Sequence, residues 1–290
     1  MSWRTIVVSS SAKLDYQMGY LVVRKDTLTK IHLSEIGLLM VESTAVSLTA
    51  ALLAEMTKRK IKVIFCDEKR NPSSELLPYY GAHDTSAKIR KQIAWSVGDK
   101  KAVWTEIVAD KIRKQASMLR FAGRTEAELL EQYLRELEYG DATNREGHAA
   151  KVYFNALFGK SFTRTDDSSI NAALNYGYSI VLSLVNREIV SNGYLTQLGI
   201  FHDNMFNQFN LASDLMEPFR ILVDKEVYLM EPQIFEQKEK MRLVDILNHE
   251  VVIGGRCEVV NNAIKLYCKS VFDALEDSDI SLIKFYSDEL

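Results

Sequence analysis

Cysteine is scarce in this chain: Cys66, Cys257 and Cys268 stand far apart, with no C-x-x-C spacing between them. An odd number at such distances excludes a zinc knuckle and a disulfide framework, and a reducing, cytoplasmic setting fits best. Long apolar runs are missing as well. Even around "IGLLMVES" and "AVSLTAALLAEM" none approaches the roughly 18 to 20 residues of a membrane helix, so no membrane partner is expected. The N-terminal "MSWRTIVVSSS" lacks the basic-then-apolar layout of a secretory leader. The C-terminal "SDEL" looks like a retrieval tail, but nothing else supports an ER route, and it is read as chance. No internal repeat or low-complexity segment is present.

Familiar catalytic signatures are absent too. "FGKS" at 158–161 ends like a phosphate-binding loop, but the required earlier glycine falls at Phe154. There is no G-x-S-x-G and no H-E-x-x-H, and no histidine lies near a cysteine in sequence to activate it. ATPase, α/β-hydrolase and zinc-protease chemistry are thereby excluded.

What is present is an ordinary soluble composition with an uneven charge. The 290 residues, 47% hydrophobic and 26% charged, suffice for one large domain or two unequal ones. The net charge is −3, yet residues 50–125 carry 16 Lys or Arg against 8 Asp or Glu, while the remainder sums to −11. Such asymmetry suits either a phosphate-binding face or a solvated helix surface, and charge alone does not choose.

The first 80 residues read as β-rich. "WRTIVVSS", "GYLVVRK", "TKIHLS", "GLLMVES" and "KVIFCD" are short strand-like runs, with "KDTLTK" as a hairpin connection. One helix is expected at "TAVSLTAALLAEMTKRK", capped by Ser43 or Thr44. "RNPSS" reads as a turn, and "LLPYYGAHD" as the exit to a second domain. From about residue 85 the apolar period becomes helical. Two helices with a break at "VGD" are followed by "TEAELLEQYLRELEYG", which has a Thr125-to-Glu128 capping box and a stop at Gly140. Further helices are expected at "HAAKVYFNALFG", "SINAALNYGYSIVLSLVNREIVSNG", "SDLMEPFRILVDKEVYLM" and "NNAIKLYCKSVFDALE". The architecture is a small β domain followed by a large helical one.

Two stretches hold candidate chemistry. In "NREGHAAKVYFNALFG", Glu146 falls at or near a helix start, where the dipole stabilises a carboxylate whether or not it has a function. His148 reads as an exposed or capping side chain. In "FHDNMFNQFNLASDLMEPFR", Asp214 and Glu217 are three apart, which puts both on one helix face. The same D-L-M-E is a capping box, with Asp214 as N-cap and Pro218 in the first turn. Arg220 is placed to bind phosphate or to pair with Glu217. A histidine and carboxylates on separate segments suit Mg²⁺ or Mn²⁺, and spacing leaves metal site and cap equally open.

Taken together, these segments resemble the CRISPR-associated integrase and endonuclease of the adaptation machinery, Cas protein one, over essentially the whole chain. The resemblance runs from "IHLSEIGLLMVEST" and "KVIFCDEKRNPSSELLPYYGAHD" through "NREGHAAKVYFNALFG" and "INAALNYGYSIVLSLVNREIV" to "FNQFNLASDLMEPFR", in wording similar to the type II branch. It implies an α+β fold: an N-terminal β-sandwich for dimerisation (1–81), then an all-α catalytic domain (82–290). It implies that Glu146, His202 and Glu217 are the catalytic metal ligands, with Asp214 in support. Many members have aspartate where this chain has Glu217. The implied reaction is metal-dependent strand transfer, in which the 3′-hydroxyl of a short DNA fragment attacks the edge of a CRISPR repeat. The implied partners are double-stranded DNA, a second copy of the chain and a small bridging adaptation subunit, with the type II effector nuclease and a ring-shaped DNA-end-binding protein. Lys88, Arg90, Lys91, Lys111, Arg113, Lys114 and Arg220 would grip DNA phosphates; helical spacing pairs Lys88 with Lys91 and Lys111 with Lys114. A generic metal-dependent repair nuclease and a non-catalytic DNA-binding scaffold are the alternative readings.

Overall fold

The computed structural model describes residues 4–79 and 82–287. Tyr80 and Gly81, within the expected domain exit, lie outside the described residues, as do the last three residues of "SDEL". Eight strands and one helix precede that point: β1 (Arg4–Val8), β2 (Ala12–Gln17), β3 (Tyr20–Arg24), β4 (Leu28–His32), β5 (Ile36–Val41), β6 (Val46–Leu48), α1 (Ala50–Lys58), β7 (Lys62–Cys66) and β8 (Pro72–Glu75). They form two four-stranded sheets, ordered β1-β5-β7-β8 and β4-β3-β2-β6.

β5 is buried along its whole length and pairs in parallel with both β1 and β7. A strand covered on both faces reads as an unbroken apolar run, which is what "IGLLMV" is. Its alternation divides the interior. Leu39 and Val41 join Leu14, Leu21 and Val63 in a core shared by the two sheets, whereas Leu38 and Met40 join the core of the helices. The β1-β5-β7-β8 sheet is therefore the floor on which the helices sit.

The helices are α2 (Thr85–Ala94), α3 (Val97–Phe121), α4 (Ala127–Arg135), α5 (Arg145–Phe158), α6 (Ser169–Ser191), α7 (Asn210–Leu215), α8 (Arg220–Met230) and α9 (Gln237–Asp245). β9 (Glu250–Ile253) and β10 (Arg256–Val259) follow, then α10 (Val260–Asp277) and β11 (Tyr286–Ser287). The last three strands form a sheet ordered β10-β9-β11, so the expected all-α second region is corrected. "EVVIGGRCEV" is a hairpin around Gly254 and Gly255, both at positive φ, whose Val251 and Ile253 turn inward.

Other boundaries also moved. Val46–Leu48 pairs with β2 instead of starting a helix, and Thr49 is the N-cap of α1, its Oγ1 accepting from Leu52 N at 3.4 Å. "PSSE" is a strand, not part of a turn, and β2 ("AKLDYQ") was hidden by its alternate polar residues. "VGD" is the first turn of α3, because Ser96 Oγ accepts from Asp99 N at 2.9 Å, and the break falls at Trp95 and Ser96. No side chain caps α4; Glu128 N bonds the backbone oxygen of Thr125, and the helix ends at Arg135.

α6 is the central helix, and it meets the sheet through a buried polar cluster. Lys62 on β7 pairs with Glu75 on β8, which also accepts from Ser183 Oγ at 2.7 Å and from Asn186 of α6. On its far side α6 lies so close to α8 that a Cβ on Gly177 would stand 2.4 Å from Val223 Cγ1. Gly177→Ala is therefore expected to lose about 1–2 kcal/mol, overpacking of ~1–3 kcal/mol outweighing a helix-propensity gain of ~0.5–1 kcal/mol. Urea unfolding checks this, and adding Val223→Ala should recover part of the loss.

Candidate active site

α5 starts where two short side chains stop the preceding turn. Asn144 adopts a left-handed conformation (φ 55°), and its side chain accepts from Gly147 N at 3.3 Å. The buried Asp141 carboxylate accepts from Arg145 N at 2.6 Å and from Glu146 N at 3.1 Å. Glu146 thus sits in the first helical turn with its backbone pinned, as the sequence suggested. His148, two residues along, is exposed.

The second stretch folds differently from a capped helix. Asp214 lies inside α7, wholly buried, and its carboxylate takes four donors. Ile200 N (2.6 Å), Phe201 N (3.1 Å) and His202 N (3.1 Å) all point at it, and His202 Nδ1 lies 2.6 Å from Oδ1. The capping reading of Asp214 is corrected: it ties down the loop before α7, not a helix start. The Asp214 hydrogen bond raises the His202 pKa above its usual 6.5, against the opposing effect of burial. Trp104 of α3 holds the same loop from the other side, stacked on Phe201 at 4.4 Å and edge-on to His202 at 5.9 Å.

Seven residues beyond Trp104, two turns along the same face of α3, stands Lys111. Its ammonium reaches Glu146 Oε1 at 2.5 Å and also pairs with Glu217 Oε2. Glu217 opens a single 3₁₀ turn, Glu217–Phe219, placed where Pro218 has no N–H to continue a helix. Burial alone would raise the Glu217 pKa, but Arg220 and Lys111 hold it down at about 2. Arg220 Nη1 meets Glu217 Oε1 at 2.9 Å, and its guanidinium lies 4.2 Å over the Tyr178 ring. These groups border an open cavity of about 540 Å³, also lined by Lys151, Phe154, Lys160 and Arg164.

The structure therefore brings Glu146 and Glu217 onto one cation, and His202 onto Asp214. Among the described residues, no three His, Cys, Asp or Glu side chains stand together as a formed metal cage. The basic stretch separates into parts. Lys88 and Lys91 do share a face, and both grip Glu276, at 2.5 and 2.8 Å. Arg90 and Arg113 are exposed. Lys111 and Lys114 lie in the wall of the cavity, not on an outer helix face: both are only 7% exposed, and Lys114 pairs with Asp110 at 2.7 Å and lies over Tyr286.

Comparison with known proteins places the chain in a lineage. The family model described as CRISPR associated protein Cas1 matches residues 5–242. The chain belongs to the Cas1 family. It is 34% identical over 260 residues to the CRISPR-associated endonuclease Cas1 of Neisseria meningitidis serogroup C (strain 8013), covering 87% of this chain and 86% of that protein. In fold it is similar to a casposase bound to integration product, at 17% identity and TM-score 0.77, over 96% of this chain and 91% of that one. It is also similar to a Cas6-RT-Cas1–Cas2 complex, at 18% identity and TM-score 0.74, over 99% of this chain and 36% of that one.

Within this Cas1 family member, sequence reasoning overlooked Trp104, Asp141 and Gly199, and misplaced Lys111. The Trp104–Lys111 interval of two helical turns was the available signal for both residues of α3. Gly199 had none: a Cβ there would lie 2.2 Å from His202 O and 2.8 Å from Asp214 Oδ2, a clash visible only after folding. Gly199→Ala is expected to displace the His202 loop and to lower DNA-processing activity at least about tenfold, as misplacement of about 1 Å does. Steady-state assays paired with circular dichroism check that the fold survives. For Asp214→Asn, NMR titration should show the His202 pKa falling back towards 6.5 or below. A raised folded pKa gives stability that is full below 6.5 and lost as pH climbs through the raised value. Wild type should show that loss as pH rises above 6.5, and the Asn variant should not.

Proposed function

We propose that this protein is a metal-dependent DNA strand transferase that inserts short DNA fragments as new spacers into a CRISPR array, and that it also cleaves DNA. The observation that carries the reading is the convergence of Glu146 and Glu217 on one point of positive charge at the edge of a basic cavity. The names of its relatives support the same class: an endonuclease by sequence, and by fold a casposase bound to integration product.

The donor set fits a divalent cation, because two carboxylate oxygens already face a single cationic nitrogen that stands in for it. Glu146, Glu217 and the Nε2 of His202 would hold Mg²⁺ or Mn²⁺, hard or borderline ions that accept mixed oxygen and imidazole ligands. When bound, the ion would polarise the phosphoryl oxygen and offset its developing charge. The remaining work falls to the chain. Asp214 accepts from Nδ1 and so fixes the ring orientation that leaves Nε2 for ligation. Arg220 holds one oxygen of Glu217, leaving the other turned to the site. Lys151, Lys160 and Arg164 line the route for backbone phosphates. The donor 3′-oxygen forms a bond to phosphorus, the bond to the target strand's own 3′-oxygen breaks, and a new 3′-hydroxyl is released.

In this reading the protein acts as a homodimer joined by a Cas2-type subunit, as the Cas1–Cas2 assembly among its fold relatives suggests. The type II effector nuclease and the ring-shaped end-binding protein would deliver fragments. The test combines purified protein and Cas2-type subunit with a supercoiled repeat-bearing plasmid, labelled donor DNA and Mn²⁺. Label should join the plasmid at the repeat edge, and Glu146→Ala, His202→Ala and Glu217→Ala should each lower joining by about 10² or more, with losses that do not multiply when combined. Metal-dependent nicking without joined donor would favour a repair nuclease. Binding with neither would leave a scaffold.

A further inference from the structure

The ammonium of Lys111 occupies an unusual place. α3 is otherwise a packing helix, with Ile107, Val108, Ile112 and Ala116 all in the core, and a lysine this deep needs a compensating charge. It has two, Glu146 from α5 and Glu217 from the 3₁₀ turn before α8. Without a cation between them, these carboxylates would face each other in a poorly solvated site and repel. Yet this is the point at which a cation shared by both residues would have to sit. An ammonium held at 2.5 Å from an oxygen that also binds an ion at ~2.0–2.1 Å puts two cations side by side in a poorly solvated site, and they repel.

Resting on the reading that Glu146 and Glu217 hold a divalent cation, we infer that Lys111 is a built-in place-holder, which keeps the two carboxylates paired in the metal-free protein and must be displaced for the ion to enter. The exit is available. Lys111 itself lines the 540 Å³ cavity, and its four-carbon arm is flexible, so the ammonium leaves by side-chain rotation with α3 unmoved. Arg220 stays on the other oxygen of Glu217 throughout, so the carboxylate keeps its aim when Lys111 departs. The metal affinity of the protein is then a net quantity, reduced by the two ion pairs that entry must break. A lysine with a purely structural role would not oppose the ion, and its removal would weaken metal binding or leave it unchanged.

Free Mn²⁺ measured by electron paramagnetic resonance, on the whole protein without DNA, separates these cases. Lys111→Met keeps arm length and apolar bulk and should bind Mn²⁺ about tenfold more tightly than wild type, the scale of one charged hydrogen bond. Lys114→Met, which removes a nearby cation paired with Asp110, should tighten binding much less and so controls for general charge. Equal or weaker affinity in Lys111→Met overturns the inference. So does equal tightening in the Lys114 variant. Absence of Mn²⁺ binding in wild type and Lys111→Met alike would overturn the metal reading itself, and the place-holder with it. Should Lys111→Met fail to fold, acylation of wild-type lysines read by mass spectrometry decides. Lys111 should label slowly without metal and faster at saturating Mn²⁺, and unchanged labelling overturns the inference.

Discussion

A carboxylate with no access to water persists in a folded interior only if donors surround it, and Asp214 satisfies that condition with four. Three of them are consecutive backbone N–H groups of Ile200, Phe201 and His202. That arrangement dictates the path of the loop: the chain must turn tightly past Gly199, and the His202 ring must lie where Nδ1 finds the same oxygens. Trp104 closes the loop from α3, and the two residues at the tip, Met205 and Phe206, remain exposed. The position of the candidate histidine is thus fixed by one buried charge and one aromatic stack.

A second buried charge ties three elements together at the other half of the site. Lys111 joins α3, α5 and the turn before α8, and Arg220 doubles the connection to Glu217 while leaning on Tyr178. Breaking one member of such a cluster strands the others, which costs more than the intact pairs contribute. The same logic holds at the base of the helical region. There Glu75 collects Lys62, Ser183 and Asn186 between sheet and α6. The candidate site is in this way built on the rigid elements of the fold, with only the His202 segment carried by a loop.

Much of this was legible before folding, for identifiable reasons. β5 and α6 declared themselves by continuous or periodic apolar residues, because burial on two faces or along one stripe leaves that trace. Elements whose identity depends on a distant partner did not. Val46–Leu48 looks helical beside "TAALLAEM", yet the open edge of β2 claims it as a strand. The D-L-M-E segment satisfies the local rule for a capping box, but the loop at 199–202 supplies better donors than a helix N-terminus would. Lys111 and Lys114 have the composition of a surface, and only the packing of α3 turns them inward.

The sequence by itself determined the family, the order of β-rich and helical segments, and the identity of Glu146, His202, Asp214 and Glu217 as the residues to watch. Apolar periodicity carries the order of the segments, and the resemblance of whole motifs to a known family carries the rest. The tertiary structure decided which of those groups meet: Asp214 with His202, and Glu146 with Glu217 through an ammonium of a third element. The reason is physical. Hydrogen bonds and ion pairs between segments 12 to 106 residues apart, from His202–Asp214 to Lys111–Glu217, depend on how the helices cross, and no local propensity encodes that crossing.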